Sequence, residues 1–259
     1  MKPAPEHIDF SDLVDQVDWL GEVDSTNRFL AGQPAATGSR LVLTWNQTGG
    51  VGRMGRVWLS PPGQSLAMSL ELGPDLTPAD LSEEWLGALP LVVGHHLASA
   101  IQAVAPSVTV KWPNDVLIAG KKVAGILGEL PDAGRVIVGV GINVWGLPPE
   151  LPPAQATSLN LQGLSNPAEL HTLMRGFIAA LIDTLNAIRL RVPQGLWSMV
   201  RTHLGTLGEQ VTVTFPDGQT RHGRATNIDH RGRLLVTTPS GANEVVGAGD
   251  IQHLRASAE

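Results

Sequence analysis

The 259 residues carry 18 lysines and arginines against 24 aspartates and glutamates, a net charge of -6, with 42% apolar and 16% charged residues. That balance supports a folded globule with a sizeable core and argues against a broad nucleic-acid-binding surface, leaving open a local basic site. The lack of any cysteine excludes a disulfide framework, a thiolate metal site and a cysteine nucleophile, and it fits a cytoplasmic protein.

Met1 to Phe10 has prolines and charges where a secretory signal needs an apolar run, and no stretch approaches the ~20 apolar residues that span a bilayer. Neither export nor a membrane partner is expected. Residues 1–17 read as a short lead-in, too brief for a three-helix DNA-binding module, so no DNA partner is expected either. Asp24-Ser25-Thr26-Asn27 precedes Arg28-Phe29-Leu30 and supplies capping groups for a helix. The same hydroxyls and free amides suit a small polar ligand.

Leu41 to Asn46 reads as a strand, and Ser65 to Leu72 as the next, with Leu66, Met68, Leu70 and Leu72 alternating. Between them lies Gln47 to Trp58, Gln-Thr-Gly-Gly-Val-Gly-Arg-Met-Gly-Arg-Val-Trp. Glycines at 49, 50, 52 and 55 deny this stretch a regular helix or strand, because each has a large backbone entropy to lose. With Arg53 and Arg56 among them, the loop suits closure over a phosphate or carboxylate. Gly50-x-Gly52-x-x-Gly55 is also a dinucleotide-binding spacing, but Pro61-Pro62-Gly63 follows where a helix should open. A kinase reading lacks the His-Arg-Asp and Asp-Phe-Gly tripeptides it requires. The plain alternative is a surface loop that binds nothing.

Ala79 to Val104 has helical spacing, with Pro90 and Gly94 as candidate interruptions. His95 and His96 are adjacent, so they form no i, i+4 metal pair and are expected to face solvent or pack. Val108 to Trp112, Pro113-Asn114-Asp115, Val116 to Ile118, a Gly120-Lys121 turn and Val123 to Leu130 read as strand, kink and hairpin. Pro113 cannot sit in a central strand, so Asn114 and Asp115 project at a sheet end; the blander alternative is an Asx turn. Arg135 to Val144 is a near-continuous apolar strand whose Gly139 and Gly141 signal either a ligand lying on the backbone or a bulge.

Gly146 to Pro153, with four prolines, reads as an irregular surface crossing. Pro167 to Leu190 is the clearest helix, with Leu170, Leu173, Met174, Phe177, Ile178, Leu181, Ile182, Leu185 and Ile188 on one face. A short helix from Gly195 to Leu204 ends at Gly205. Beyond Gly208, short alternating runs at 211–215, 220–228, 234–238 and 244–246 suggest a small separate barrel of the SH3-like kind.

Five of these stretches, in this order, resemble the biotin protein ligases. Ser25-Thr26-Asn27 resembles that family's biotin-contacting triplet, and Gln47 to Trp58 its glycine-arginine adenylate loop. Lys111 to Asp115 is similar to its Lys-Trp-Pro-Asn-Asp signature, and Lys122 to Glu129 and Gly139 to Asn143 to its next two strands. The resemblance implies an α+β fold: a mixed sheet flanked by helices over 18–207, then an SH3-like β-barrel over 208–259.

It also implies a two-step reaction: biotin and ATP give biotinyl-5'-AMP and pyrophosphate, and a lysine of an acceptor then takes the biotinyl group. Mg²⁺ would assist. The implied partner is a biotin carboxyl carrier domain of acetyl-CoA carboxylase or a related biotin enzyme, with a homodimer left open. Lys122 and Arg53 would be catalytic. Ser25, Thr26, Asn27, Gln47, Val51, Gly52, Arg53, Lys122, Gly125 and Gly139 would bind biotin. Arg53, Arg56, Trp58, Asn114 and Asn143 would serve the nucleotide, and Asp115 would orient either Mg²⁺ or Lys122.

One departure bears on the loop: Val51 stands where the family usually has arginine, and Met54 also departs from the pattern, which lowers the loop's charge. The family's transcription-regulating members carry an N-terminal DNA-binding domain that is not seen here, so a ligase alone is expected. A lipoate ligase of related fold would lack this loop. A non-catalytic biotin sensor would be expected to lose Lys122 or Arg53, and both are present.

Overall fold

The computed structural model describes residues 7–74, 76–77, 83–132, 134–148, 150, 152, 154–190, 195–215, 217–247 and 250–253. Along the chain come β1 (Gln16–Leu20), α1 (Thr26–Ala31), β2 (Arg40–Thr44), β3 (Gly50–Val51), β4 (Val57–Trp58) and β5 (Ser65–Leu72). Then follow α2 (Glu83–Ile101), β6 (Val108–Lys111), β7 (Asp115–Ile118), β8 (Lys121–Glu129), β9 (Val136–Asn143), α3 (Pro167–Leu190) and α4 (Leu196–Arg201). Five strands close the chain: β10 (Gln210–Thr214), β11 (Thr220–Ile228), β12 (Leu234–Thr237), β13 (Asn243–Val246) and β14 (Asp250–His253).

Seven strands form one sheet in the order β1-β2-β5-β9-β8-β7-β6. The β1–β2 pair is parallel and the rest are antiparallel, so the sheet is mixed, as expected. The strand alternation anticipated for 65–72 explains how the site is built. Leu66, Met68, Leu70 and Leu72 join the main core, which also takes in α2 and α3. The other set, Ser65, Ala67, Ser69 and Glu71, is just as buried but faces the opposite side, where α1 lies over Val42 and Ile137 through Leu30.

Several expectations need correction. The lead-in is part of the fold: Ile8, Phe10 and Val14 are buried, β1 begins at Gln16, and the Trp19 indole donates to the Ile8 carbonyl. The expected boundary between 17 and 18 therefore runs through a strand. Among the described residues no helix precedes α1. α2 passes through Pro90 and Gly94 unbroken, although its expected start at Ala79 lies outside the described residues. An interior proline costs about 3 kcal/mol. Full burial of Leu91, Val92, Val93, Leu97 and Ile101, at about 1.5–3 kcal/mol each, outweighs it. Gly94 serves packing: a Cβ there would stand 3.2 Å from Val110 and 3.3 Å from Ile126.

α3 spans the expected residues, and all of its predicted core face is buried or packed against the core. The described part of 146–153 is irregular, with Pro149, Leu151 and Pro153 outside the described residues. The C-terminal strands form an antiparallel sheet in the order β13-β12-β11-β10-β14. β14 was not anticipated, because Asp-Ile-Gln-His shows a single apolar residue. This sheet is held to the end of β6 by Trp112, whose indole donates to the Gly232 carbonyl at 2.9 Å, and to α4 by Arg201, which donates to Asn227 and to the Ile228 carbonyl. No helix among the described residues is long and apolar enough to cross a membrane.

His95 and His96 are packed, both 6% exposed, and His95 Nδ1 lies 3.0 Å from His203 Nδ1. Burial, then the neighbouring His96 and His203, push the His95 pKa down to about 4, and burial pushes that of His96 down to about 4. Both are therefore neutral in the fold, whereas the unfolded chain takes up protons near 6.5. The stability they permit is fully present above pH 6.5 and is lost as pH falls toward 4. The expected loss is on the order of 2 kcal/mol per histidine by pH 5. Thermal midpoints between pH 7 and 5 should fall steeply for the native chain and flatten for His95→Gln/His96→Gln; equal slopes would contradict the assignment.

Candidate active site

α1 opens at Thr26 because Ser25 caps it, with Ser25 Oγ accepting from the Arg28 N–H. The helix is then fixed at both ends. At its start the Thr26 N–H donates to Gln47 Oε1 at 3.0 Å, and Ser69 Oγ lies 2.6 Å from both Thr26 Oγ1 and Asn27 Oδ1. At its end Arg135 donates to the Leu30 carbonyl while pairing with the buried Glu71 at 2.9 Å. Asn27 Nδ2 donates to Glu129 Oε2 at 2.6 Å. The triplet thus presents buried, oriented polar groups.

The stretch expected to be structureless forms a small hairpin, with Gly50 opposite Trp58 and Val51 opposite Val57. Its tip uses two left-handed residues, Met54 at φ +57° and Gly55 at φ +72°, closed by the Arg56 N–H donating to the Arg53 carbonyl. Its base is tied to α1, since Gly49 N–H donates to the Asp24 carbonyl and Arg28 Nη2 donates to the Gly49 carbonyl. These ties and two ladder pairs act against the glycines' entropy.

Lys122 reaches the same space through a bulge. Asp115 pairs with Gly125, Val116 with Ala124, and Leu117 with Lys122, so Val123 has no partner. Lys122 and Gly125 are three apart and would face opposite ways in a regular strand; the extra residue puts them on one face. The consecutive full burial of Val123 and Ala124 records that shift. Lys122 Nζ lies 2.7 Å from Asp115 Oδ1 and 5.4 Å from the centre of the Trp58 ring. Asn114 Nδ2 donates to the Ile126 carbonyl, which holds the Trp-Pro-Asn turn against β8.

Gly139 and Gly141 lie in an unbroken register with both neighbours, so there is no bulge in β9. A Cβ at Gly139 would strike the Asn27 side chain, and one at Gly141 would stand 2.5 Å from Trp58 Cε2. Trp58 therefore rests on Gly141 and its paired Gly125 and floors the cleft, its buried indole N–H lacking a partner within the protein.

One cleft gathers Ser25, Thr26, Asn27, Gln47, Val51, Gly52, Arg53, Arg56, Trp58, Asn114, Asp115, Lys122, Gly125 and Gly139. Asn143 is not among its lining residues. It is 1% exposed, accepts from Ser65 Oγ and donates to the Thr157 carbonyl, so it ties the end of β9 to the following segment. Ser69, Ala67 and Arg28 were missed. Ser69 and Ala67 were visible only as the small half of the β5 alternation, and Arg28 carried no signal beyond its place beside the triplet. The lining holds three cations, Arg53, Arg56 and Lys122, against the single carboxylate of Asp115, which suits an anionic ligand. Asp115 is the cleft's one candidate metal contact, and no cluster of three metal-ligating side chains exists among the described residues.

Residues 20–143 match the model of the biotin/lipoate A/B protein ligase family, and 206–254 that of the biotin protein ligase C-terminal domain. The chain is 35% identical over 254 residues to the biotin acetyl-CoA-carboxylase ligase of Mycobacterium tuberculosis, covering 93% of this chain and 90% of that one. It is 33% identical to the enzyme so named from Paracoccus denitrificans, over 90% of this chain and 98% of the other. Among solved structures, the biotin protein ligase of Aquifex aeolicus in complex with biotin and ATP superposes with a TM-score of 0.76 at 28% identity, covering 92% and 99% of the two chains.

Proposed function

The chain belongs to the biotin protein ligases of the biotin/lipoate A/B protein ligase family, and on that footing we propose that its cleft makes biotinyl-5'-AMP from biotin and ATP and delivers biotin to a carrier-domain lysine. The observation that carries this is the meeting of the buried Ser25-Thr26-Asn27 triplet, the arginine hairpin and Lys122 around one space. A biotin carboxylate oxygen attacks the α-phosphorus, the bond to the bridging oxygen breaks, and pyrophosphate leaves. The acceptor's ε-amine then attacks the acyl carbon, AMP departs, and the amine loses a proton. No enzyme nucleophile is needed, so the protein contributes positioning and charge.

Ser25, Thr26, Asn27, Gln47 and the backbone around Val51 and Gly52 hold the polar end of biotin, beside Gly125 and Gly139. Lys122 meets the carboxylate. Arg53 and Arg56 take the phosphate charge, Asn114 faces the nucleotide, and Trp58 offers the base a surface and an unpaired N–H. The donor set fits Mg²⁺: Asp115, the one carboxylate lining the cleft, would hold it beside the phosphates, where it would supply charge neutralisation. Asn143 supports this wall from behind. The acceptor is a biotin carboxyl carrier domain, and the cytoplasm is the expected compartment. The test is ATP-dependent transfer of labelled biotin, against labelled lipoate, onto a carrier domain. Biotin alone should be transferred; transfer of lipoate alone would overturn the reading.

The two β9 glycines divide the roles. Gly141→Ala pushes on Trp58 and is expected to raise the KM for ATP about tenfold, the cost of disturbing a stacking surface. Gly139→Ala pushes on Asn27 and should act chiefly on the KM for biotin. Steady-state pyrophosphate release measures both, and the reverse pattern would contradict the assignment.

A further inference from the structure

We propose that Glu129, outside the cleft, is a positioning residue: it sets the direction of a buried hydrogen-bond chain so that Thr26 and Gln47 offer acceptors to the ureido N–H groups of biotin. The inference rests on the ligase reading above. Glu129 is exposed at the end of β8 and does not line the cleft, yet its carboxylate accepts from Asn27 Nδ2 at 2.6 Å. The same nitrogen also faces the Leu127 carbonyl, at 3.4 Å. Carbonyls and ionised carboxylates accept only, so both amide protons of Asn27 are directed at β8 and its Oδ1 is left to face Ser69.

Proton counting carries the chain onward. Ser69 has one hydroxyl proton and two oxygens at 2.6 Å, Asn27 Oδ1 and Thr26 Oγ1. The amide oxygen has no proton to give, so it takes the one from Ser69, and the Thr26 hydroxyl must donate to Ser69 Oγ. Thr26 then has none left for Gln47 Oε1, 3.3 Å away, which already accepts the Thr26 N–H. Two oxygens with free lone pairs therefore stand side by side, on residues that line the cleft. Thr26, Asn27, Gln47 and Ser69 are all buried, where lone pairs without a donor are costly, and a ligand N–H relieves them. The ureido ring of biotin brings such donors; the dithiolane ring of lipoate brings none.

The experiment measures the KM for biotin and for ATP by acceptor-free pyrophosphate release. Glu129→Lys puts a donor where the carboxylate accepted, which turns the Asn27 amide, sends the Ser69 proton to Thr26 and leaves the Thr26 proton for Gln47. It should raise the KM for biotin about tenfold, the scale of a buried hydrogen bond left unmade, with the KM for ATP within about twofold of native. Glu129→Gln, whose carbonyl can still accept from Asn27, should keep the biotin KM within about threefold of native. Ser69→Ala cuts the chain and should itself raise the biotin KM; in that background Glu129→Lys should add less than about twofold, whereas a merely structural role would add in full. An unchanged biotin KM in Glu129→Lys, an equal rise for ATP, an equal loss in Glu129→Gln, or full additivity with Ser69→Ala overturns the proposal. Absent biotin-dependent pyrophosphate release in the native protein would instead overturn the ligase reading.

Discussion

Lys122→Ala is expected to slow adenylate formation by roughly 10²–10³-fold, while Lys121→Ala stays within about twofold. The two lysines are neighbours, and only the bulge at Val123 decides between them. It turns Lys122 to the face shared with Gly125 and Trp58, whereas Lys121 pairs with Ile118 at the Ala119-Gly120 turn and does not line the cleft. In the reaction Lys122 would sit between a carboxylate and a phosphate as charge moves from one to the other. Two unit charges about 4 Å apart attract by about 4 kcal/mol at an effective dielectric near 20, which is about three factors of ten in rate. Asp115, 2.7 Å away, keeps the ammonium aimed into the cleft before ligand arrives. Biotin-dependent pyrophosphate release should show the contrast. Equal losses from both substitutions would mean that the parity argument is wrong.

Arg53→Gly is expected to leave adenylate synthesis measurable but to shorten retention of the product at least tenfold, so that lysines on bystander proteins become labelled. The closed hairpin is marginal by itself. It has two ladder pairs, and its tip holds the non-glycine residue Met54 in a left-handed conformation that costs about 1 kcal/mol or more. On the proposed reading, contacts from Arg53 and Arg56 to the adenylate would offset that cost, with Val51 standing where the family usually has a further cation. Closure also shields the anhydride from water. Two measurements follow the lid. Biotin plus ATP should slow trypsin cleavage after Arg53 and Arg56, and filtration of the loaded protein should retain adenylate for the native chain and lose it for the variant. If cleavage is unaffected by ligands, or the variant retains adenylate normally, the hairpin is not the lid.

The residues that were legible in the sequence are those whose role depends on local chemistry. The helix cap at Ser25, the arginines among glycines, and the small-residue gaps at Gly139 and Gly141 could be read because side-chain type limits what each can do. What stayed hidden depends on partners far along the chain. Val-Ala-Gly-Ile-Leu reads as an unbroken strand, and the bulge appears only when β8 is set against β7. Gly50-Val51 and Val57-Trp58 are too short to signal strands and pair across a turn that no helical or alternating pattern announces. β1 and β14 lack clear alternation and are strands because neighbours supply their hydrogen bonds. Asn143 matched a motif that marks ligand-binding strands, yet its amide is taken up by Ser65 and Thr157.

The most direct measurement incubates the purified chain with biotin, ATP and Mg²⁺ without any acceptor and analyses the protein-bound products by mass spectrometry alongside released pyrophosphate. Biotinyl-5'-AMP retained on the protein, with one pyrophosphate released per adenylate, is the predicted result. Pyrophosphate release with lipoate and none with biotin would contradict the account.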